Sequence, residues 1–107
     1  AAPAPPPAGA GAAAPLPTVV VPVFNALAAL DACLAALDRT LPAATRVHVA
    51  DDASTDPRVP ALVDDWRRRS PLAVTAVRRA RNLGFPGNCN AAFDETGESD
   101  VVLLNSD

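Results

Sequence analysis

Four short apolar runs, spaced along the chain, limit its fold more than any other feature. They are TVVVPV (18–23), RVHVA (46–50), LAVTAV (72–77) and DVVLLN (100–105). Each is too short for a helix and rich in valine, which reads as a buried strand. Longer segments with apolar residues at helical spacing lie between them. Leu27, Leu30, Leu34 and Leu37 give one face to a helix over 26–39, with Asn25 placed to cap it and Pro42 to close it. Val59, Leu62, Val63 and Trp66 form the stripe of a second helix. Asp56 then reads as its N-cap and Pro57 as its first helical position. Arg67, Arg68 and Arg69 suit the negative end of its dipole as a solvated helix end. A third, shorter helix over 87–95 carries Cys89, Ala92 and Phe93 on one face. Strands alternating with helices predict an α/β fold, a mostly parallel sheet with crossover helices. The strands are continuous apolar runs, so helices are expected on both faces of the sheet.

Length and composition narrow the reading. The chain has 107 residues, enough for one domain. Residues 1–17 hold only Ala, Pro, Gly and Leu, and are expected to be a disordered, polyproline-like lead-in. No apolar stretch is long enough, free of Pro and charge, to predict a transmembrane helix, and the start lacks the basic region of an intact signal peptide. A net charge of −3 argues against a general nucleic-acid binder. Two cysteines, Cys33 and Cys89, make neither a disulfide framework nor a cysteine-rich zinc site, and read as packed thiols. His48 lies mid-strand and reads as structural. The sequence has no Met and stops straight after an apolar run, so a piece of a longer protein is expected.

Ligands of open α/β sheets bind outside the carboxyl ends of the strands, and right-handed crossovers put those ends on one edge. The first strand delivers Pro22, Phe24 and Asn25; the second delivers Asp51, Asp52 and Ser54. The third delivers Arg78, Arg81 and Asn82, then a loop from Gly84 to Gly87. The fourth delivers Asn105, Ser106 and Asp107. An aromatic face can stack on a nucleobase, and a carboxylate can accept from a base N–H or a ribose hydroxyl. Backbone N–H groups at a helix start favour phosphate. A carboxylate facing a diphosphate calls for a bridging hard cation, Mg²⁺ or Mn²⁺. The sum describes a site for a nucleoside diphosphate with a metal. Plainer readings stand beside it: DDASTD as ordinary turn and cap chemistry, Phe24 as core, the glycine loop as a tight connection.

VVVPVFN (19–25), VADDASTD (49–56), RNLGFPGNCNAAF (81–93) and DVVLLNSD (100–107) resemble, in order and spacing, family 2 glycosyltransferases of the GT-A fold. The resemblance covers residues 18–107. The NLGF loop leading into LLNSD is similar to bacterial enzymes of cell-surface polysaccharide assembly, rhamnosyltransferase-like members included. It implies the N-terminal part of a Rossmann-like GT-A three-layer sandwich. It further implies that Pro22, Phe24 and Asn25 line the nucleoside pocket and that Asp52 holds the base, with Asp51 supporting the loop. Arg81, Asn82, Gly84 and Ser106 would complete the nucleotide-sugar site. The family's Asp-x-Asp metal motif reads here as Asn105-Ser106-Asp107, leaving Asp107 as the metal ligand. The implied reaction moves a sugar, with inversion, from a UDP- or dTDP-linked donor to an acceptor glycan or lipid-linked saccharide. The implied location is the cytoplasm or the inner face of the membrane. The family's catalytic base lies downstream of the metal motif, so none is assigned in this chain, which reads as a donor-binding half.

Three rival readings differ from this one at particular positions. A sugar nucleotidyltransferase would carry a glycine-rich basic loop after the first strand, where this chain has VFNALAAL. A phosphoacceptor receiver domain would need a lysine on a later strand, and the sequence contains none. A non-catalytic nucleotide-binding remnant would keep the edge chemistry without transfer.

Overall fold

The structure, a computed structural model, describes residues 16–97 and 100–106. Most of the expected lead-in and the expected metal ligand Asp107 lie outside the described residues. The elements run β1 (Thr18–Val23), α1 (Leu27–Thr40), β2 (Arg46–Asp51), α2 (Arg58–Arg69), β3 (Ala73–Arg78), α3 (Gly84–Glu95) and β4 (Val101–Leu103). The strands form one sheet in the order β3-β2-β1-β4, every pair parallel. This is the expected Rossmann-like α/β fold. Among the described residues no helix is long and apolar enough to cross a membrane.

The strand order dictates which helix lies where. Steps β1 to β2 and β2 to β3 move one way across the sheet, and the step from β3 to β4 returns past β1. Right-handed crossovers therefore put α1 and α2 on one face and α3 on the other. The first face holds the main core. Leu30, Leu34, Leu37, Val59, Val63 and Trp66 pack there against Val19, Val21, Val23, Val47 and Val49. Each such side chain contributes roughly 1.5–3 kcal/mol by leaving water. The Trp66 indole N–H is satisfied inside this core, donating to Asp38 Oδ2 on α1 at 3.0 Å. The α3 face is smaller, with Val20, Ala50 and Ala92 buried.

Several sequence expectations shift. All six residues of β1 are buried, as a strand covered on both faces should be. β3 is an edge strand and is half open, with Thr75 and Ala76 exposed. Asn25 does not cap α1: the N-cap position is Ala26, in the left-handed region at φ 55°, with no side-chain cap. Asn25 reaches across to the next loop instead. α3 begins three residues earlier than expected, at Gly84. Pro86 is tolerated because the first-turn N–H groups of a helix have no intrahelical partner to lose. Gly84, at φ 80°, turns the chain into the helix.

β4 is shorter than expected, and Pro22 explains it. Thr18 N–H donates to Asp100 O, and Leu104 N–H donates to Val20 O. Even-numbered residues of β1 thus face β4. At the next even position Pro22 has no N–H to give, so the ladder stops. The Ser106 hydroxyl takes the Pro22 carbonyl instead, at 3.3 Å.

Candidate nucleotide-binding site

The strands β1 and β4 separate where the chain order reverses, the usual place for a ligand crevice. A cavity of about 360 Å³ opens there, lined by Pro22, Val23, Phe24, Asp52, Asn82, Gly84, Phe85, Asn88 and Asn105. The carboxyl ends of β1, β2 and β4 each deliver residues to it; the loop after β3 supplies Asn82, and α3 supplies Gly84, Phe85 and Asn88. Its volume is at the lower end for small-molecule sites.

Asp52 is 3% exposed. Its backbone is pinned on both sides: its N–H donates to Val23 O at 2.8 Å, and its carbonyl accepts from Asn82 Nδ2 at 3.1 Å. Its Oδ1 accepts from Leu83 N–H at 2.7 Å. Among the described residues Oδ2 has no hydrogen-bond partner, so one carboxylate oxygen is left for a donor. Asn82 Oδ1 accepts from Gly84 N–H at 3.0 Å. The amides leading into α3 are therefore already met by Asp52 and Asn82, which weakens that helix start as a phosphate cradle. Phe24 and Phe85 are 49% and 52% exposed, two aromatic rings at one opening.

A second group of expected site residues holds the loops together. Asn25 Oδ1 accepts from Thr55 N–H at 2.9 Å and Asp56 N–H at 3.0 Å, and Asn25 N–H donates to Ser54 Oγ at 2.8 Å. Ser54 Oγ and its N–H both donate to Asp51 Oδ1, at 2.6 and 3.0 Å. Arg78 Nη2 donates to Ser54 O at 2.9 Å. Asp51 Oδ2 is buried without a hydrogen bond, and Arg78 Nε, 3.5 Å away, offers it charge alone. This network ties the tips of β1, β2 and β3. Asn25 and Asp51 belong to it and do not line the cavity. Ser106 is buried under Pro22, and Arg81 is exposed on the loop beside Asn82 without lining the cavity.

α2 begins at Arg58, one residue later than expected, with Pro57 and not Asp56 at the N-cap position and no side-chain cap there. Asp56 still meets the helix start, its Oδ1 accepting from Arg58 N–H at 3.0 Å, and the Arg58 side chain beside it lowers its carboxyl from the ordinary range. Arg67 and Arg68 pair with Asp64, and Arg69 with Asp65, on an exposed face. Cys33 and Cys89 are packed, and burial pushes both thiols up, which makes them poor nucleophiles. His48 is buried between Thr75 Oγ1 at 2.7 Å and Glu95 Oε1 at 2.9 Å.

Phe85 and Asn88 escaped the sequence reading. Starting the third helix at residue 87 left Phe85 in a loop, and nothing in the string NCN tells which asparagine faces inward. For a metal, the Asn105-Ser106-Asp107 segment offers only oxygen donors, the type a hard divalent cation takes. Asn105 lines the cavity and the Ser106 hydroxyl is committed to Pro22. Among the described residues no group of three or more His, Cys, Asp or Glu is clustered to hold a metal.

No curated protein sequence matches the chain. The sequence model of the family described as Glycosyl transferase family 2 matches residues 18–107, every strand and helix described above. The chain therefore belongs to glycosyl transferase family 2, whose members move a sugar from a nucleotide-sugar donor to an acceptor.

Proposed function

We propose that the cavity at the β1/β4 crevice binds the nucleotide of a UDP- or dTDP-linked sugar. The observation that carries this reading is Asp52, buried in the cavity wall with one carboxylate oxygen engaged and the other without a partner among the described residues. The imide N–H of uracil or thymine offers one donor to match it. Cytosine has an acceptor at that ring position. Phe24 and Phe85 offer stacking faces for the base. Asn82, Arg81 and Asn105 supply polar and cationic groups towards ribose and diphosphate.

In this reading Asp107 holds Mg²⁺ or Mn²⁺, with the Asn105 carboxamide in place of a first carboxylate. Such an ion neutralises charge on the departing diphosphate. The reaction is sugar transfer with inversion to a glycan or lipid-linked acceptor in cell-surface polysaccharide assembly, in the cytoplasm or at the inner membrane face. Similarity of NLGF and LLNSD to rhamnosyltransferase-like enzymes supports that branch. No residue of this chain is assigned as the general base. Asn105 at the motif also favours a second reading, nucleotide binding without transfer, in which UDP binds equally well with and without Mn²⁺.

The test is calorimetric titration of UDP and dTDP into the full chain with and without Mn²⁺. Binding should strengthen with Mn²⁺, and Asp107→Ala should remove that gain. Asp52→Asn keeps an acceptor for Leu83 N–H but turns a donor towards the base. It should weaken binding by about tenfold to a hundredfold, the loss of one charge-assisted bond. Wild-type affinity in a folded Asp52→Asn variant rules the base contact out.

A further inference from the structure

We propose that Arg79 is a positioning residue for the nucleotide cavity, acting through Asn88, whose side chain it ties to Glu95 at the far end of α3. The inference rests on the nucleotide reading above and extends it to a residue outside the cavity.

Asn88 is 2% exposed and lines the cavity. Its Nδ2 donates to Ala50 O at 2.9 Å, and its Oδ1 accepts from Arg79 Nε at 2.9 Å. The carboxamide is thus held from both ends, and flipping it would break both bonds. The rest of the guanidinium is committed elsewhere. Arg79 Nη1 donates to Glu95 Oε2 at 2.5 Å and Nη2 to Glu95 Oε1 at 2.9 Å, a bidentate pair. Glu95 is held in turn by His48 Nε2 on β2. Arg79 is itself fixed where β3 ends, because its N–H donates to Asp51 O at 2.8 Å. One planar cation therefore spans the helix from the cavity wall to its last residue.

This matters because packing alone holds α3 weakly. Among the described residues the buried apolar cluster on its face is Val20, Ala50 and Ala92, with Val77, Phe93 and Val101 packed partly buried against it, far smaller than the cluster under α1 and α2. The polar strut fixes what a larger core would otherwise fix. The pKa directions agree with it: the Glu95 hydrogen bond raises Arg79, and the Arg79 hydrogen bond lowers Glu95. Lysine cannot replace the strut, since an ammonium is a point charge and cannot serve Asn88 and both Glu95 oxygens in one plane.

The test is UDP titration of the full chain carrying Arg79→Lys, with thermal melting beside it. Lysine keeps the charge near Asp52, so only the geometry is lost. We expect a folded variant that binds UDP about fivefold to tenfold more weakly. The same substitution in an Asn88→Ala background (Asn88→Ser if alanine does not fold) should change affinity less than about twofold. Unchanged affinity of folded Arg79→Lys, or the same factor in both backgrounds, overturns the proposal while leaving the nucleotide reading intact. A wild-type chain that binds neither UDP nor dTDP overturns both.

Discussion

At the end of β2 the backbone is still extended, so neighbouring side chains leave on opposite sides. Asp51 turns towards Ser54 and Arg78, and Asp52 towards the crevice. A pair of carboxylates that looks like one feature in the sequence therefore does two different things. The loops after β1 and β2 rely on left-handed residues that are not glycine: Asn25 at φ 52° and Ala26 at 55° after β1, and Ala53 at 59° after β2. For an alanine that conformation costs about 1–2 kcal/mol. The Asn25 network offsets part of this, its carboxamide oxygen meeting two backbone N–H groups. Replacing Asn25 by Ala should cost about 2–3 kcal/mol in urea unfolding, from two lost bonds plus left-handed strain. Asn25→Asp, which keeps the acceptor and tolerates the conformation, should cost less than half of that. The DDASTD string was legible as a turn that serves a strand end. The family resemblance already gave Asp52 to the base and Asp51 to the loop. That Asn25 joins the staple and leaves the cavity was not legible, because its partners Ser54, Thr55 and Asp56 lie on another loop.

Among the elements, β4 and α3 shape the site. Pro22 stops the β1/β4 ladder, and the strands part where the cavity opens. Pro22→Val would supply the missing donor to the Leu104 carbonyl. The new bond contributes about 1 kcal/mol, and the freer unfolded chain takes back about 0.4–1 kcal/mol. Thermal stability should barely move. Hydrogen exchange should instead find a newly protected amide at position 22, and UDP affinity should fall as the crevice narrows. An amide at 22 that exchanges as fast as a loop amide would mean that something other than the proline ends the ladder. Proline was visible in the sequence, and its place in the site was expected. Its effect on β4 was hidden, because only the pairing order shows that its missing N–H points at β4 and not at β2. The early start of α3 was hidden for a related reason: Pro86 reads as a break until the chain before it is seen to turn at Gly84.

As a whole molecule, the protein is a sheet with two unlike faces. One is closed by Trp66 and the leucine and valine stripes of α1 and α2; the other carries a small apolar patch and the His48–Glu95–Arg79 cluster. That cluster makes stability sensitive to acid. Glu95 has its folded pKa lowered, first by the Arg79 hydrogen bond, below the ordinary 4.5. Its contribution is therefore present above the unfolded value and is lost as pH falls through the folded one. Melting temperatures measured from about pH 6 down to about pH 3 should fall more steeply for the wild type than for Glu95→Gln. Parallel curves would mean that the cluster adds nothing to the fold.

The sequence by itself determined the element order, the parallel sheet, the apolar helix stripes and the edge on which chemistry gathers. These follow from local periodicity and from the handedness of crossovers, which act on neighbours along the chain. The tertiary structure decided what needed contacts between distant segments. It set the order β3-β2-β1-β4, which places the crevice between β1 and β4. It also separated the Asn25–Asp51 staple from the Asp52 cavity, and it brought Arg79 to Asn88 and Glu95. Hydrogen-bond partners far apart in sequence leave no periodic trace, so only the folded chain reveals them.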